Sequence, residues 1–128
     1  MDLVTAVYEM TSGTPAHELY GLTNQIRRSA VSVPSNIAEG HTREHTKEYL
    51  NHLSMAHGSL AELQTQLELA GRLNYAPKES VRELLDRSAS IARQLYSLRN
   101  ALLREEDGTY VVDPNPRPLS SDPEGGAY

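Results

Sequence analysis

Gln25-Ile-Arg-Arg-Ser-Ala-Val-Ser-Val-Pro-Ser-Asn-Ile-Ala-Glu-Gly40 is the stretch on which the reading of this chain turns. Ile26, Ala30, Val33 and Ile37 recur every three or four residues, the period of one helix face. Pro34 falls inside that period. It lacks the N–H that would bond the Ala30 carbonyl, and its ring crowds that carbonyl. The helix therefore either ends near Val33 or bends and continues. Because the apolar spacing runs on to Ile37, a continuous, kinked helix is the expectation, with Ser32, Ser35 or Asn36 supplying local hydrogen bonds at the bend. Gly40 reads as the residue that ends it. Interleaved with the apolar positions are Gln25, Arg28, Ser32, Asn36 and Glu39, a polar set that an ordinary amphipathic helix does not need.

Upstream, Leu3, Ala6, Val7 and Met10 predict a short helix over residues 2–11. Thr11-Ser-Gly-Thr14 interrupts it, and Thr14 followed by Pro15 signals the start of the second helix. Downstream, Leu50, Leu53, Ala56 or His57, Leu60, Leu63, Leu67 and Ala70 form a heptad-like seam. The third helix is thus expected from Glu44 to Leu73, with Asn74 as its left-handed terminator. Gly58 lies mid-helix, at a cost of about 1 kcal/mol relative to alanine, and predicts the close approach of another helix backbone. Pro77 opens a fourth helix whose seam is Val81, Leu84, Ser88, Ile91, Leu95, Leu98 and Leu102. Four helices with short connections predict an all-α, antiparallel up-and-down four-helix bundle over residues 1–106, unevenly covered at one end because the first helix is short. Residues 107–128, rich in proline and glycine, read as an irregular acidic tail.

The chain has 128 residues, five histidines and no cysteine, so disulfides, thiolate metal sites and thiol nucleophiles are excluded. No apolar run reaches the roughly 20 residues needed to span a bilayer, and the N-terminal residues do not resemble a signal peptide. A cytoplasmic protein with no membrane partner is expected. The net charge is −5, of which residues 107–128 carry −3 and residues 1–106 carry −2. A near-neutral body exerts no global pull on nucleic acid, so such binding needs a local patch.

Several patterns invite a sharper chemistry. His41-Thr-Arg-Glu-His45 matches H-x-x-E-H, yet it follows Gly40 in a loop and lacks an obvious third ligand, so no metal and no cofactor are assigned. His52 and His57 read as edge packers that hydrogen-bond to a neighbour. A di-iron bundle needs repeated Glu-x-x-His motifs, which are missing here. Arg28, Asn36, Glu39, Ser59 and Glu62 read as a partly buried polar network fixing helix register and oligomer geometry, with Gln25 and Ser32 alongside. Pro34, Gly40 and Gly58 serve kink and close packing. No catalytic residue is assigned, because no nucleophile with an adjacent base is legible. Arg27, Arg43, Lys47, Arg93 and Arg99 are the candidate phosphate contacts. Glu79, Glu83 and Asp86 interleave with the helix-4 arginines, which favours a solvated, salt-bridged face. Tyr8, Tyr20, Tyr49 and Tyr96 read as packing residues with a wet hydroxyl.

Leu22 to Gly40, followed by Lys47-Glu-Tyr-Leu50, Leu53, Met55-Ala-His-Gly-Ser-Leu-Ala-Glu-Leu63 and Leu67, closely resembles the bacterial four-helix-bundle family of 23S rRNA intervening-sequence proteins. The resemblance covers about Leu3 to Leu103. It implies a left-handed up-down bundle that assembles into a ring-like homopentamer. A more distant relative is the accessory variability protein of diversity-generating retroelements, which engages nucleic acid and a reverse transcriptase through a basic pentamer surface. This sequence departs from the pattern in three ways: a shorter first helix, His45 in place of a serine N-cap three residues before Glu48, and an acidic pI near 5.5. The resulting expectation is a non-enzymatic, self-assembling scaffold or adaptor whose main partner is itself, with Met55, Leu69, Leu85 and Leu103 as its contact positions. The alternative is an accessory protein that binds RNA or DNA, from a ribosomal intervening sequence or as a partner of a retroelement reverse transcriptase.

Overall fold

A computed structural model describes residues 2–12 and 21–106. Four helices follow in order: α1 (Asp2–Thr11), α2 (Leu22–His41), α3 (Thr46–Arg72) and α4 (Lys78–Glu106). Backbones approach closely for α1–α2, α2–α3, α3–α4 and α4–α1, while the α1–α3 and α2–α4 pairs meet only through the side chains of the core. That is the closed square of an up-and-down bundle, in which sequential helices are neighbours and the diagonals are held apart. The expected start signal at Thr14-Pro15 and the tail 107–128 lie outside the described residues.

The core is the set of seams read from the sequence, closed upon one another. Leu3 and Val7 of α1 meet Ile26, Ala30 and Val33 of α2, Leu53, Ala56, Leu60, Leu63, Leu67 and Ala70 of α3, and Val81, Leu84 and Leu95 of α4. Each fully buried leucine or isoleucine contributes about 1.5–3 kcal/mol of transfer free energy. At the ambiguous position of the α3 seam, Ala56 enters the core and His57 lies at its edge.

The uneven cover expected from a short α1 is present. At about 1.5 Å per residue, the 10 residues of α1 reach less than half as far as the 29 of α4. Val81, Leu84 and Ser88, on the N-terminal part of α4, are all buried, whereas further along Leu95 and Ala101 stay buried but Ile91, Leu98 and Leu102 are only half-buried.

Helix α2 continues through Pro34, as the apolar spacing requires. The next two carbonyls along from that of Ala30, those of Val31 and Ser32, accept side-chain bonds. Ser35 Oγ donates to the Val31 carbonyl at 2.8 Å, and Asn36 Nδ2 donates to the Ser32 carbonyl at 2.9 Å. Helix α3 stops in a Schellman turn: Asn74 takes the left-handed conformation (φ 59°), its N–H bonds the Gly71 carbonyl, and the Tyr75 N–H bonds the Ala70 carbonyl. At the other end of α3, His45 is the N-cap residue and makes no side-chain capping bond. The imidazole there does not replace the serine oxygen of a capping box.

Two glycines correct their sequence readings. Gly40 does not end α2; the helix runs one residue further, to His41, and Thr42 caps it. Gly40 is buried, and a Cβ there would lie 2.7 Å from His52 Cβ and 2.9 Å from Tyr49 Cδ1. It is the point at which α3 presses on α2. Gly58, expected to sit beneath a neighbouring backbone, is exposed, and a Cβ on it would have nothing within 4 Å. Within one chain, no packing demand accounts for it.

Candidate functional site

The α2–α3 seam carries a chain of polar side chains above the core. Ser32 Oγ and Ser59 Oγ are 2.7 Å apart and share a hydrogen bond. Asn36 Nδ2 also donates to Ser32 Oγ at 3.0 Å. Asn36 Oδ1 accepts from His52 Nδ1 at 3.3 Å, which places the His52 ring proton on Nδ1. One step further along α2, Gly40 receives His52 and Tyr49 at close range. The ring of Tyr49 in turn meets His41 edge-on, with centroids 5.9 Å apart. Burial raises the pKa of the Tyr49 hydroxyl above its ordinary value. Because these groups bond to one another, the seam fixes the register of α2 against α3.

Of the polar set read from the sequence, Ser32, Asn36 and Ser59 are brought together. Gln25, Arg28, Glu39 and Glu62 are not: all four are exposed and stand outside the network. Glu39 pairs with Arg43 one helical turn away (2.8 Å), a solvent-facing bridge, and Arg28 makes no ion pair with any described residue. Arg28 lies on the side of α2 opposite Ile26, Ala30 and Val33. Gln25 and Glu39 stand seven residues either side of Ser32 on the same flank, so helical periodicity does not separate them from it; where α3 crosses α2 does.

His52 is the member that the polar-set reading omitted, although its expected bond to a neighbour is present. A second cluster joins α1 to α2. Arg27 Nε donates to Thr11 Oγ1 at 2.8 Å, its guanidinium lies 4.5 Å from the centre of the Tyr8 ring, and Thr11 Oγ1 donates to the Val7 carbonyl. Arg27 is therefore a structural clamp rather than a free cation. Nothing in the local pattern marks it, since the contact depends on how α1 lies on α2.

Between α3 and α4 an open groove of about 330 Å³ is lined by His57, Ala92, Arg93, Tyr96 and Ser97. Tyr96, read as a packing residue, is 58% exposed. His57 Nε2 is buried and has no hydrogen-bond partner among the described residues. Burial, and secondarily the charge of Arg99, lower the His57 pKa, so its ring is neutral at pH 7. The salt-bridged face expected for α4 is present in its N-terminal part, where Arg87 pairs with Glu83 at 2.9 Å. Beyond it, Arg93 and Arg99 make no ion pair with described residues. The reason is legible in the sequence: residues 87–104 contain four arginines and no carboxylate, and residues 49–61 of α3 contain no carboxylate either. Lys47 is exposed near the start of α3.

The H-x-x-E-H pattern is divided between elements. His41 is the last residue of α2 and His45 caps α3, so the two imidazoles are not on successive turns of one helix. Among the described residues no group of three histidines or carboxylates is placed to hold a metal ion, and no serine or threonine hydroxyl bonds to a histidine.

These features define a helical-bundle protein with a register-setting polar seam on one side of α3 and a cationic, aromatic groove on the other. The chain belongs to the 23S rRNA-intervening sequence protein family, whose model matches residues 1–97. No curated protein matches it. No helix among the described residues is long and apolar enough to cross a membrane.

Proposed function

We propose that this protein is a non-enzymatic scaffold or adaptor that assembles with copies of itself, as a homopentamer. The observation that carries the reading is the outer face of α3. Met55 (55% exposed), Leu69 (45%) and Leu73 (47%) stand on the side of the helix that no other helix covers, although the core beneath is complete. Gly58 lies on the same ridge between Met55 and Glu62 and leaves room for a close approach. From Met55 to Leu73 the ridge is about 27 Å long, enough to seat a helix of a second copy. Leu85 and Leu103, the other expected contact positions, are half-buried and less available. The polar seam suits a scaffold, because Ser32, Asn36 and Ser59 satisfy one another and hold two helices in register. Light scattering tests the assembly. The expected mass is about five times the 14.2 kDa of one chain, and Leu69→Glu lowers it while leaving helicity intact. A wild-type protein that stays at the mass of one chain at micromolar concentration refutes the reading.

A second reading is supported by the carboxylate-free stretch of α4: an accessory role in which the protein binds RNA or DNA, from a ribosomal intervening sequence or beside a retroelement reverse transcriptase. Arg93 and Arg99 are its available phosphate contacts, with Lys47 as an outlying one; Arg27 and Arg43 already have partners. A gel shift that weakens as salt rises supports it.

A further inference from the structure

The α3–α4 groove combines features that the scaffold reading leaves unused. Arg93, Tyr96 and Arg99 follow one another at i, i+3 and i+6 on α4, so the tyrosine stands between the two arginines along one ridge of the helix. Arg27, Arg43 and Arg87 are each matched by a ring or a carboxylate, whereas these two cations have no ion pair among the described residues. Tyr8 has a guanidinium over its face, but no described cation covers the ring of Tyr96. His57 also lines the groove, its Nε2 buried beneath the surface and without a partner among the described residues. The groove volume falls within the lower range of small-ligand sites.

We propose that this groove is a subsite for one nucleotide of a single-stranded nucleic acid, in which Tyr96 stacks on the base, Arg93 and Arg99 hold the flanking phosphates, and Ser97 offers a hydrogen bond to the base edge. The proposal rests on the second reading above and narrows it to named residues. A nucleotide uses the exposed ring and both cations. Its planar ring matches the exposed phenol, and its phosphates match two cations in a field free of carboxylates. An acidic peptide would engage the arginines but leave the exposed ring idle. A duplex presents its phosphates with its bases stacked inside, so Tyr96 gains nothing from it. His57 is neutral at pH 7, which leaves the electrostatics of the groove to the arginines.

The test is fluorescence anisotropy of a labelled oligouridylate with the full chain, across a salt series, with a duplex of equal length and polyglutamate as competitors. Binding is expected to weaken with salt and to resist competition by polyglutamate. Tyr96→Ala should lower affinity roughly five- to hundred-fold while Tyr96→Phe retains it. Arg93→Gln should reduce the magnitude of the log–log salt slope by about 0.7. Both side chains are exposed, so circular dichroism melts of these variants should match wild type. If wild type binds in a salt-dependent way but Tyr96→Ala and Arg93→Gln bind equally well, the groove is wrong and the nucleic-acid reading survives. If wild type shows no salt-dependent binding, both are wrong. Equal competition by polyglutamate overturns the nucleotide assignment in favour of an acidic peptide.

Discussion

Gly40→Ala is a sensitive probe of the α2–α3 contact. The added methyl would lie 2.7 Å from His52 Cβ and 2.9 Å from Tyr49 Cδ1, against an ordinary carbon–carbon separation of about 3.5–4.0 Å. The Tyr49 ring has some freedom to turn. His52 Cβ has none, being one bond from the α3 backbone, so α3 must shift by roughly 0.8 Å or more to restore a normal contact. Overpacking of this kind costs about 1–3 kcal/mol. The Asn36–His52 bond, already 3.3 Å long, is the first to be lost, at about 0.5–1.5 kcal/mol. Against these stands the gain of up to about 1 kcal/mol when alanine replaces glycine in a helix. The net expectation is destabilisation by about 1–3 kcal/mol. Gly58→Ala is the matched control. It carries the same helix-propensity gain into open space, so it should stabilise one chain by up to about 1 kcal/mol. Urea unfolding followed by far-ultraviolet circular dichroism, at one fixed chain concentration, compares the midpoints directly. A Gly40→Ala midpoint equal to or above wild type would refute the assignment of Gly40 as a contact point. Gly58→Ala that folds normally but lowers the assembled mass would place Gly58 in the contact between copies.

Further outcomes follow from individual side chains. Ser88 is fully buried and its hydroxyl has no partner, so Ser88→Ala should be neutral or stabilising by about 1 kcal/mol in the same unfolding assay. His57 has a folded-state pKa below its ordinary value of 6.5, chiefly through burial and then through Arg99. The unfolded chain therefore binds the proton more readily. This contribution to stability is complete above about pH 6.5 and is lost as pH falls towards the folded pKa. His57→Gln should flatten the decline in melting temperature between neutral and mildly acidic buffer, and Arg99→Gln should flatten it less. Glu39 pairs with Arg43 on the surface, so Glu39→Gln should change stability by less than about 0.5 kcal/mol. A much larger loss would return Glu39 to the internal network from which the structure removes it.

The sequence by itself determined the helices and the face each one buries. Leu53, Ala56, Leu60, Leu63, Leu67 and Ala70 announce their stripe by spacing alone, Asn74 announces the stop, and the run through Pro34 to Ile37 announces a helix that does not break. Those properties depend on neighbours within a turn or two along the chain, which the order of residues states directly. The carboxylate-free run from Arg87 to Arg104 was equally visible, although only the α3–α4 groove shows what it lines. What tertiary structure decided is everything that depends on the register between helices. Gly40 and Gly58 look alike in the sequence, yet one is pressed by His52 and the other faces open space. Arg27 and Arg28 are adjacent, yet one is clamped between Thr11 and Tyr8 while the other stands in solvent. A period of 3.6 residues tells which way a side chain leaves its own helix. How far the next helix has slid, and therefore which atom waits there, is set only when the seams pack.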